Sequence, residues 1–258
     1  MSDKWMIPCL YLYQGKAVAG RGPKERTCLS RDGDAVKLAG SYSDSGADGL
    51  LVFDLSSTDE EHEEAIGKIK EICQISQVPV SAAGNVKRVE DVKKLLYAGC
   101  QRVALNLSKE SNARMLKEVS DRFGRERIMA SVFDMDDLRS RQQKIGEYAG
   151  AVLAADAVCE KICGSSDLSD VPVLLYMESD QKADALKALS EGHIQGITGA
   201  FVSRMDFQLS ASAGDTDTRG VCGLLLMRRD SSDTFSRRNS ASSPRLTLPL
   251  LCCSFDSR

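Results

Sequence analysis

The chain has 258 residues, and its 34 lysines and arginines against 37 aspartates and glutamates give a formal net charge of −3. This length suits one large α/β domain or two small ones, and the balanced charge excludes a general attraction to nucleic acid. Apolar runs of about eighteen residues are absent, which excludes a membrane partner, and without a signal-peptide pattern the chain is expected in the cytoplasm.

Short apolar strands alternate with amphipathic helices along most of the chain. In chain order, the eight predicted strands are residues 6–13, 49–55, 78–83, 102–106, 127–134, 151–155, 171–176 and 195–202. The predicted helices are residues 34–45, 60–74, 86–96, 111–123, 136–148 and 182–190. Parallel strands need helix-length crossovers, so this order predicts an α/β (β/α)₈ barrel whose last helix is missing or replaced. The glycine-rich and charged stretch after the first strand is predicted to be a loop.

Polar or small residues stand where several strands end. Asp54 ends the second strand, Gly84 and Asn85 follow the third, Asn106 ends the fourth, and Asp134 ends the fifth. Ligands of such barrels bind at the carboxyl ends of the strands. We therefore expect these residues to share one mouth of the barrel.

The two halves of the predicted barrel resemble each other. Residues 78–80 and residues 171–173 both read Val-Pro-Val, and Gly99 then matches Gly192 without a gap. Matches that stay in register along half of the chain predict a repeat of two half-barrels.

Cysteine and histidine do not form a metal-binding pattern. The nine cysteines are scattered, Cys159 and Cys163 are the nearest candidate pair, and two histidines in the whole chain cannot complete a cluster. Reduced thiols without a metal or another cofactor are expected. His62, within the Glu-His-Glu-Glu run at 61–64, is interpreted as part of a solvated helix face.

The composition changes after residue 206. Residues 207–258 contain ten serines and seven arginines but no lysine. We therefore divide the chain into a barrel at 1–206 and a disordered Ser/Arg-rich tail at 207–258. The segment 237–240 suits a basophilic kinase, but a stretch without an evolved fold is the favoured interpretation.

Five segments of the barrel region carry a family pattern. They are residues 7–10 (Ile-Pro-Cys-Leu), 46–48 (Gly-Ala-Asp), 88–91 (Arg-Val-Glu-Asp), 95–99 (Leu-Leu-Tyr-Ala-Gly) and 103–106 (Val-Ala-Leu-Asn). Together they resemble the histidine-biosynthesis barrels: the cyclase subunit of imidazole glycerol phosphate synthase and its sister, phosphoribosylformimino-aminoimidazole carboxamide ribotide isomerase. The resemblance is close from about Met6 to Phe133, thin from there to Val202, and absent in the tail.

The resemblance implies that each half-barrel binds one phosphate of a phosphorylated ribose-imidazole compound. The first phosphate site falls on Gly84, Asn85, Asn106 and Ser108, where one glycine of the family's three remains. Backbone N–H groups at a turn before a helix can still hold a phosphate. The other interpretation is that Gly84 and Asn106 only shape tight turns.

The implied second phosphate site falls on Gly199 and Ala200, after the eighth strand. The glycine-rich turn that the family has after strand seven is replaced here by residues 176–179, Tyr-Met-Glu-Ser. Glu178 is expected to repel a phosphate.

The family's cyclase uses two aspartates, at the ends of strands one and five, as general acid and base. The strand-one position holds Tyr11, and the strand-five position holds Asp134 or, one residue earlier, Phe133. Asp54 is a further acidic candidate, and a loop lysine of the family falls on Ala19. Since an unperturbed tyrosine has a pKa near 10, it replaces a carboxylate poorly at neutral pH.

The cyclase also receives ammonia from a glutaminase partner, past a ring of charged residues in the barrel floor. The matching positions are Trp5, Gly49, Arg102 and Ala151, which retain one charge of four.

Three hypotheses follow. The first is a histidine-biosynthesis barrel that works as a lyase or isomerase on a phosphoribosyl-aminoimidazole compound, and for this chain we expect that activity to be impaired. The second is a catalytically degenerate barrel that acts as the scaffold of a truncated fusion with phosphoribosyl-AMP cyclohydrolase and phosphoribosyl-ATP pyrophosphatase, since residues 10–13 (Leu-Tyr-Leu-Tyr) resemble such cyclase-like domains. The third, an unrelated sugar-phosphate barrel, is disfavoured by the motif matches.

Overall fold

The structure, a computed structural model, describes residues 4–29, 33–155, 168, 170–177 and 194–199. Their strands are β1 (Trp5–Tyr13), β2 (Lys16–Val18), β3 (Leu50–Asp54), β4 (Val80–Ala83), β5 (Arg102–Asn106), β6 (Ile128–Val132), β7 (Ala151–Ala155), β8 (Val173–Met177) and β9 (Gly196–Gly199). Their α-helices are α1 (Ala35–Asp44), α2 (Asp59–Ile75), α3 (Val89–Tyr97), α4 (Glu110–Phe123) and α5 (Met135–Tyr148). The predictions for Cys159, Cys163, residues 182–190, Ala200 and the tail at 207–258 lie outside the described residues.

All strands except β2 form one closed parallel barrel. They pair in the order β1-β3-β4-β5-β6-β7-β8-β9, and β9 pairs with β1 from Trp5↔Gly196 to Pro8↔Gly199. This confirms the predicted (β/α)₈ fold. Val80 and Val173, which the repeat matches to each other, begin the third and seventh parallel strands. None of the described helices is both long and apolar enough to cross a bilayer.

The loop predicted after the first strand is in part a hairpin. Gln14 and Gly15 turn the chain with φ values of 47° and 73°, and β2 then pairs antiparallel with the end of β1. The prediction of a loop is wrong for these residues because three residues are too few to show strand alternation. The loop that follows this hairpin along the chain covers the centre of the barrel.

Side-chain caps fix the starts of the first two helices. The Asp34 side chain accepts hydrogen bonds from the backbone N–H groups of Val36 and Lys37 at the start of α1. Thr58 caps α2 by accepting a bond from the N–H of Glu61. Such caps satisfy donors that have no partner inside the helix.

One face of α2 packs against the barrel, and His62 belongs to that face. The buried residues of this helix recur at helical spacing: His62, Ala65, Ile69 and Ile72. His62 is only 3% exposed. The interpretation of His62 as part of a solvated face is therefore wrong, because its position in the 3–4–3 spacing outweighs the three glutamates beside it.

The sheet is buried on both sides. Along β1, Leu10 and Leu12 pack with the helices in the outer cluster, whereas Cys9 and Tyr11 belong to a separate inner cluster. The inner cluster ends in aromatic side chains, among them Phe53 and Tyr176. These rings form the bottom of the candidate site.

Candidate functional site

A cavity of about 180 Å³ opens where β3, β4, β5 and β6 end, and we call this end of the barrel the carboxyl mouth. Two cations, three asparagines and one acid contribute to its wall. The lining residues are Arg21, Phe53, Asp54, Leu55, Ala83, Gly84, Asn85, Val86, Ala104, Asn106, Lys109, Asn112, Ser131 and Phe133. The structure thus brings Asp54, Gly84, Asn85 and Asn106 together, as expected from the strand ends.

Gly84 and Asn85 form a left-handed turn directly after β4. Gly84 has φ +86° and Asn85 has φ 48°. A Cβ on Gly84 would lie 2.1 Å from the carbonyl oxygen of Asp54, so only glycine fits between the ends of β3 and β4. The Nδ2 donor of Asn85 is buried and has no hydrogen-bond partner within the described part of the chain. A buried free donor in a cavity wall is a contact that an anion can use.

The start of α3 does not supply further donors for an anion. The buried carboxylate of Asp91 accepts hydrogen bonds from the backbone N–H groups of Lys87 and Arg88, both at 2.9 Å. The helix therefore satisfies these groups itself. Anion contacts at the mouth must come from the Gly84 turn, the start of α4 and the long cationic side chains.

Asn106 shapes the entry into α4. Its Oδ1 accepts a hydrogen bond from the N–H of Ser108 at 3.0 Å. Ser108 itself is exposed and is not part of the cavity wall. Lys109, just before α4, and Asn112, in the first turn of α4, are part of that wall. Among the described residues, no side chain caps the start of α4. Its positive end is therefore not neutralised by a cap, and Lys109 adds a full positive charge there.

Asp54 is the acid of the cavity wall, and its carboxylate oxygens are already bonded. Oδ2 lies 2.5 Å from Nδ1 of His62, and Oδ1 accepts bonds from the hydroxyl of Ser56 and, at 2.8 Å, from its N–H. Asp54 is 4% exposed. The pair ties the end of β3 to α2, and it leaves this carboxylate little capacity to exchange protons with a ligand.

Asp134 has a structural contact of its own. It caps α5 by accepting a hydrogen bond from the N–H of Asp136 at 2.7 Å, and it is exposed. The cavity wall contains its neighbour Phe133 instead. Two alignments are open for the catalytic position of strand five, Asp134 and Phe133. Of these two residues, Phe133 is the one whose side chain lines the mouth.

Two tyrosines meet at the centre of the barrel. The hydroxyl oxygens of Tyr11 and Tyr176 lie 2.8 Å apart, and both residues are at most 3% exposed. Burial raises the pKa of Tyr176 to about 12 and raises the pKa of Tyr11 further above its ordinary value. Burial likewise raises the pKa of the Cys9 thiol beneath them. At neutral pH all three groups keep their protons.

Arg21 lies above this centre within a cage of three aromatic rings. Its guanidinium carbon is 5.3 Å from the ring centroid of Phe53, 5.4 Å from that of Phe133 and 5.6 Å from that of Tyr176. Each ring face attracts a cation at this distance. The cage holds the guanidinium at one side of the cavity, where its permanent positive charge favours an anionic ligand.

The loop that presents Arg21 is held by its own backbone bonds. The N–H of Ala19 donates to the carbonyl of Thr27 at 3.0 Å, and the N–H of Gly20 donates to that of Glu25 at 3.1 Å. A 3₁₀ turn, Pro23–Glu25, begins two residues after Arg21. These bonds keep the loop folded back over the mouth.

The second implied phosphate site is described only in part. Gly199 has φ +132°, and a Cβ there would lie 2.1 Å from the carbonyl oxygen of Met177. Ala200 and Glu178 lie outside the described residues. At Gly199 the structure therefore shows the same close approach of neighbouring strand ends that it shows at Gly84.

The floor of the barrel contains a second cavity, of about 220 Å³. Trp5, Gly49 and Arg102 line it, and Ala151 is buried in β7. Burial, and to a lesser degree the nearby Arg127, lowers the pKa of Arg102. Arg102 is thus the one charge among the four positions of the implied ring, and tryptophan, glycine and alanine occupy the others.

Sequence reasoning missed Arg21, Lys109, Asn112 and the partner of His62. The spacing of the buried residues in α2 gives a signal for His62. No sequence pattern indicates the role of Arg21, because its cage combines aromatic rings from three strand ends that are distant in sequence. Within the described residues, no three histidine, cysteine or acidic side chains are grouped closely enough to hold a metal ion.

Comparison with known proteins identifies relatives of the barrel region. A family described as "Histidine biosynthesis protein" matches residues 5–157. The imidazole glycerol phosphate synthase subunit HisF of Tolumonas auensis is 29% identical over 150 residues, which are 58% of this chain and 57% of that protein. The same subunit is 31% identical over 132 residues in Methanococcus vannielii (51% of this chain, 47% of that protein) and 30% identical over 132 residues in Streptococcus sanguinis (51% of each). The chain spans about half the length of the curated relatives that it matches.

Proposed function

Because this chain belongs to the histidine biosynthesis protein family, we propose that its HisF-like barrel binds a small phosphorylated ligand at the carboxyl mouth but has little or no cyclase activity. The ligand class is a phosphorylated ribose-imidazole compound of that pathway. A lyase reaction, if the chain retains one, is strongly impaired.

The charge of the cavity wall is the observation that carries the proposal. Arg21 and Lys109 contribute two positive charges, and Asn85 contributes a buried donor that has no partner among the residues that the structure describes. The acid in the wall, Asp54, already binds His62 and Ser56. A phosphate dianion gains charge-assisted hydrogen bonds from such a wall and meets little repulsion. A neutral sugar gains much less.

The centre of the barrel supports the loss of cyclase chemistry. Ring closure needs one group that takes a proton and another that gives one. Tyr11 stands where the resemblance implies a catalytic aspartate, and it remains protonated because burial raises its pKa. Tyr11 is 1% exposed, its hydroxyl contacts that of Tyr176, and Arg21 lies over the Tyr176 ring, which leaves Tyr11 little access to a substrate. Asp134 caps a helix.

The residues in the floor of the barrel favour a function that does not need ammonia from a glutaminase. In the cyclase that this chain resembles, ammonia passes a ring of four charged residues. Trp5, Gly49 and Ala151 occupy three of these positions without a charge. We therefore propose that ligand binding at the carboxyl mouth proceeds without ammonia delivery.

Titration calorimetry tests the binding half of the proposal. Ribose 5-phosphate should bind measurably, and ribose should not. Arg21→Ala and Lys109→Ala should each weaken phosphate binding by about tenfold to a hundredfold, the usual effect of removing a charge-assisted hydrogen bond. Lys70→Ala is the matched control, because it removes an exposed positive charge on α2, which is not part of the cavity wall.

A spectrophotometric cyclase assay with the cyclase substrate and ammonia tests the catalytic half. We expect turnover at least about 10² to 10⁴ below that of a barrel with both aspartates. Turnover close to that of the relatives would refute the impairment. Absence of any phosphate binding would instead favour the degenerate scaffold.

A further inference from the structure

The thiols of Cys73 and Cys100 lie side by side in the outer layer of the barrel. Their Sγ atoms are 3.9 Å apart, although the residues are 27 positions apart in the sequence. Cys73 lies in the last two turns of α2, and Cys100 lies just before β5. The sulfurs of a disulfide are about 2.05 Å apart, so a bond here needs the two Sγ atoms to approach each other by roughly 2 Å.

Gly99 permits this proximity. It has φ +113°, and a Cβ at this position would lie only 2.9 Å from the Cβ of Cys73. Any larger residue would push the connection between α3 and β5 away from α2. The backbone of Cys100 is therefore held close to Cys73 by a contact that only glycine allows.

The two thiols have different surroundings. Cys73 is half-buried, and its hydrogen bond with Cys100 lowers its pKa. Cys100 is 1% exposed, and the same hydrogen bond together with burial raises its pKa. Because the thiolate is the reactive form, Cys73 is suited to react first and Cys100 to respond. No third ligand makes the pair a metal site within the described residues.

We propose that Cys73 and Cys100 are a redox-active pair that forms a reversible disulfide when the protein meets a hydroperoxide. The Cys73 thiolate attacks the peroxide oxygen, the O–O bond breaks, and the products are a sulfenic acid and an alkoxide or hydroxide ion. The Cys100 sulfur then attacks the sulfenic sulfur, and water leaves with the thiol proton. Two electrons pass from the sulfurs to the peroxide, and an excess of a small thiol such as glutathione returns them.

Peptide mapping of the intact folded protein tests the proposal. Trypsin releases Cys73 in the peptide 71–87 and Cys100 in the peptide 95–102, and each peptide contains a single cysteine. After brief treatment of the full chain with hydrogen peroxide and blocking of the remaining thiols, the two peptides should appear joined. Their joint mass should be lower by two hydrogen atoms, and glutathione should separate them. The proposal is overturned if both cysteines remain fully alkylated while the exposed Cys28 is oxidised.

Single variants separate the two roles. Cys73→Ser should abolish the joined peptide and leave Cys100 alkylated after denaturation, because its buried thiol does not react with peroxide. Cys100→Ser should leave Cys73 as a sulfenic acid that dimedone captures. Cys28→Ser, the matched control, should form the joined peptide as the wild type does. Equal dimedone labelling of Cys73 in the wild type and in Cys100→Ser would contradict a resolving role for Cys100.

Discussion

The hydroxyl oxygens of Tyr11 and Tyr176 lie 2.8 Å apart and join the first and seventh parallel strands across the inside of the barrel. The two hydroxyls are hydrogen-bonded in a largely apolar setting, so removing one deprives the other of a buried hydrogen-bond partner. Tyr11→Asp alone therefore places a carboxylate against a protonated tyrosine beneath Arg21, with the rest of the site unchanged. We expect this single change not to restore cyclase turnover, which the spectrophotometric assay can check.

The tyrosine pair predicts a loss of stability at alkaline pH. Tyr176 has a pKa of about 12 in the fold and about 10 in the unfolded chain, so only the unfolded state releases this proton between these values. The contribution is fully present below pH 10 and is lost as the pH rises through 12. Tyr11 acts in the same direction. Urea unfolding followed from pH 9 to pH 12 should show this loss.

Two variants isolate this alkaline effect. The double variant with Tyr11→Phe and Tyr176→Phe should lose less stability between about pH 10 and 12 than the wild type. Tyr97→Phe is the control, because Tyr97 is 76% exposed. Its pH dependence should match that of the wild type, and a flatter curve for this control would contradict the assignment.

Substitutions of Asn106 can separate its role in the turn before α4 from its proposed role in phosphate binding. Asn106→Asp keeps the oxygen that accepts the N–H of Ser108, but it adds a negative charge to the cavity wall. We expect stability to be retained, and phosphate affinity to fall by about tenfold or more. Asn106→Ala should lower both, because the turn into α4 loses its acceptor. Calorimetry and urea unfolding measure the two effects, and undiminished phosphate binding by Asn106→Asp would exclude this site.

Gly84 should tolerate no side chain. Gly84→Ala combines the strain of φ +86° with a Cβ that would lie 2.1 Å from the Asp54 carbonyl oxygen. Gly46 is the matched control, since its φ is +89° and nothing lies within 4 Å of its Cβ position. Gly46→Ala should cost about 1 kcal/mol of unfolding free energy, and Gly84→Ala clearly more. Equal urea midpoints for Gly84→Ala and Gly46→Ala would show that the ends of β3 and β4 separate easily.

The buried pair of Asp54 and His62 should be coupled in stability. His62→Ala leaves a buried carboxylate oxygen without its partner, which typically costs about 1 to 3 kcal/mol. In a double-mutant cycle, Asp54→Ala should cost less in the His62→Ala background than in the wild type. Glu64→Ala on the exposed side of α2 should change stability by less than about 0.5 kcal/mol. Additive effects at Asp54 and His62 would mean that the contact contributes little.

The strands and helices were predictable from the sequence because their signals are local. Asp34 caps the first helix as its position before an apolar-periodic run indicates. β2 was not predictable, since a three-residue strand leaves no periodicity. The cage around Arg21 depends on aromatic rings at the ends of β3, β6 and β8. These ends are distant in sequence, so no single sequence pattern shows that they meet. Cys73 and Cys100 meet for a similar reason, through the packing of α2 against the start of β5.

The closing seam of the barrel affects how the protein must fold. β1 pairs with β9 at residues 5–8 and 196–199, whereas every other parallel pairing joins two parallel strands that are consecutive along the chain. At this seam a Cβ on Gly196 would lie 2.7 Å from the carbonyl oxygen of Trp5. During synthesis on the ribosome, the first half of β1 therefore remains an open hydrogen-bonding edge until β9 has emerged. The risk of aggregation is concentrated in that interval, and faster translation of the segment between β1 and β9 should shorten it.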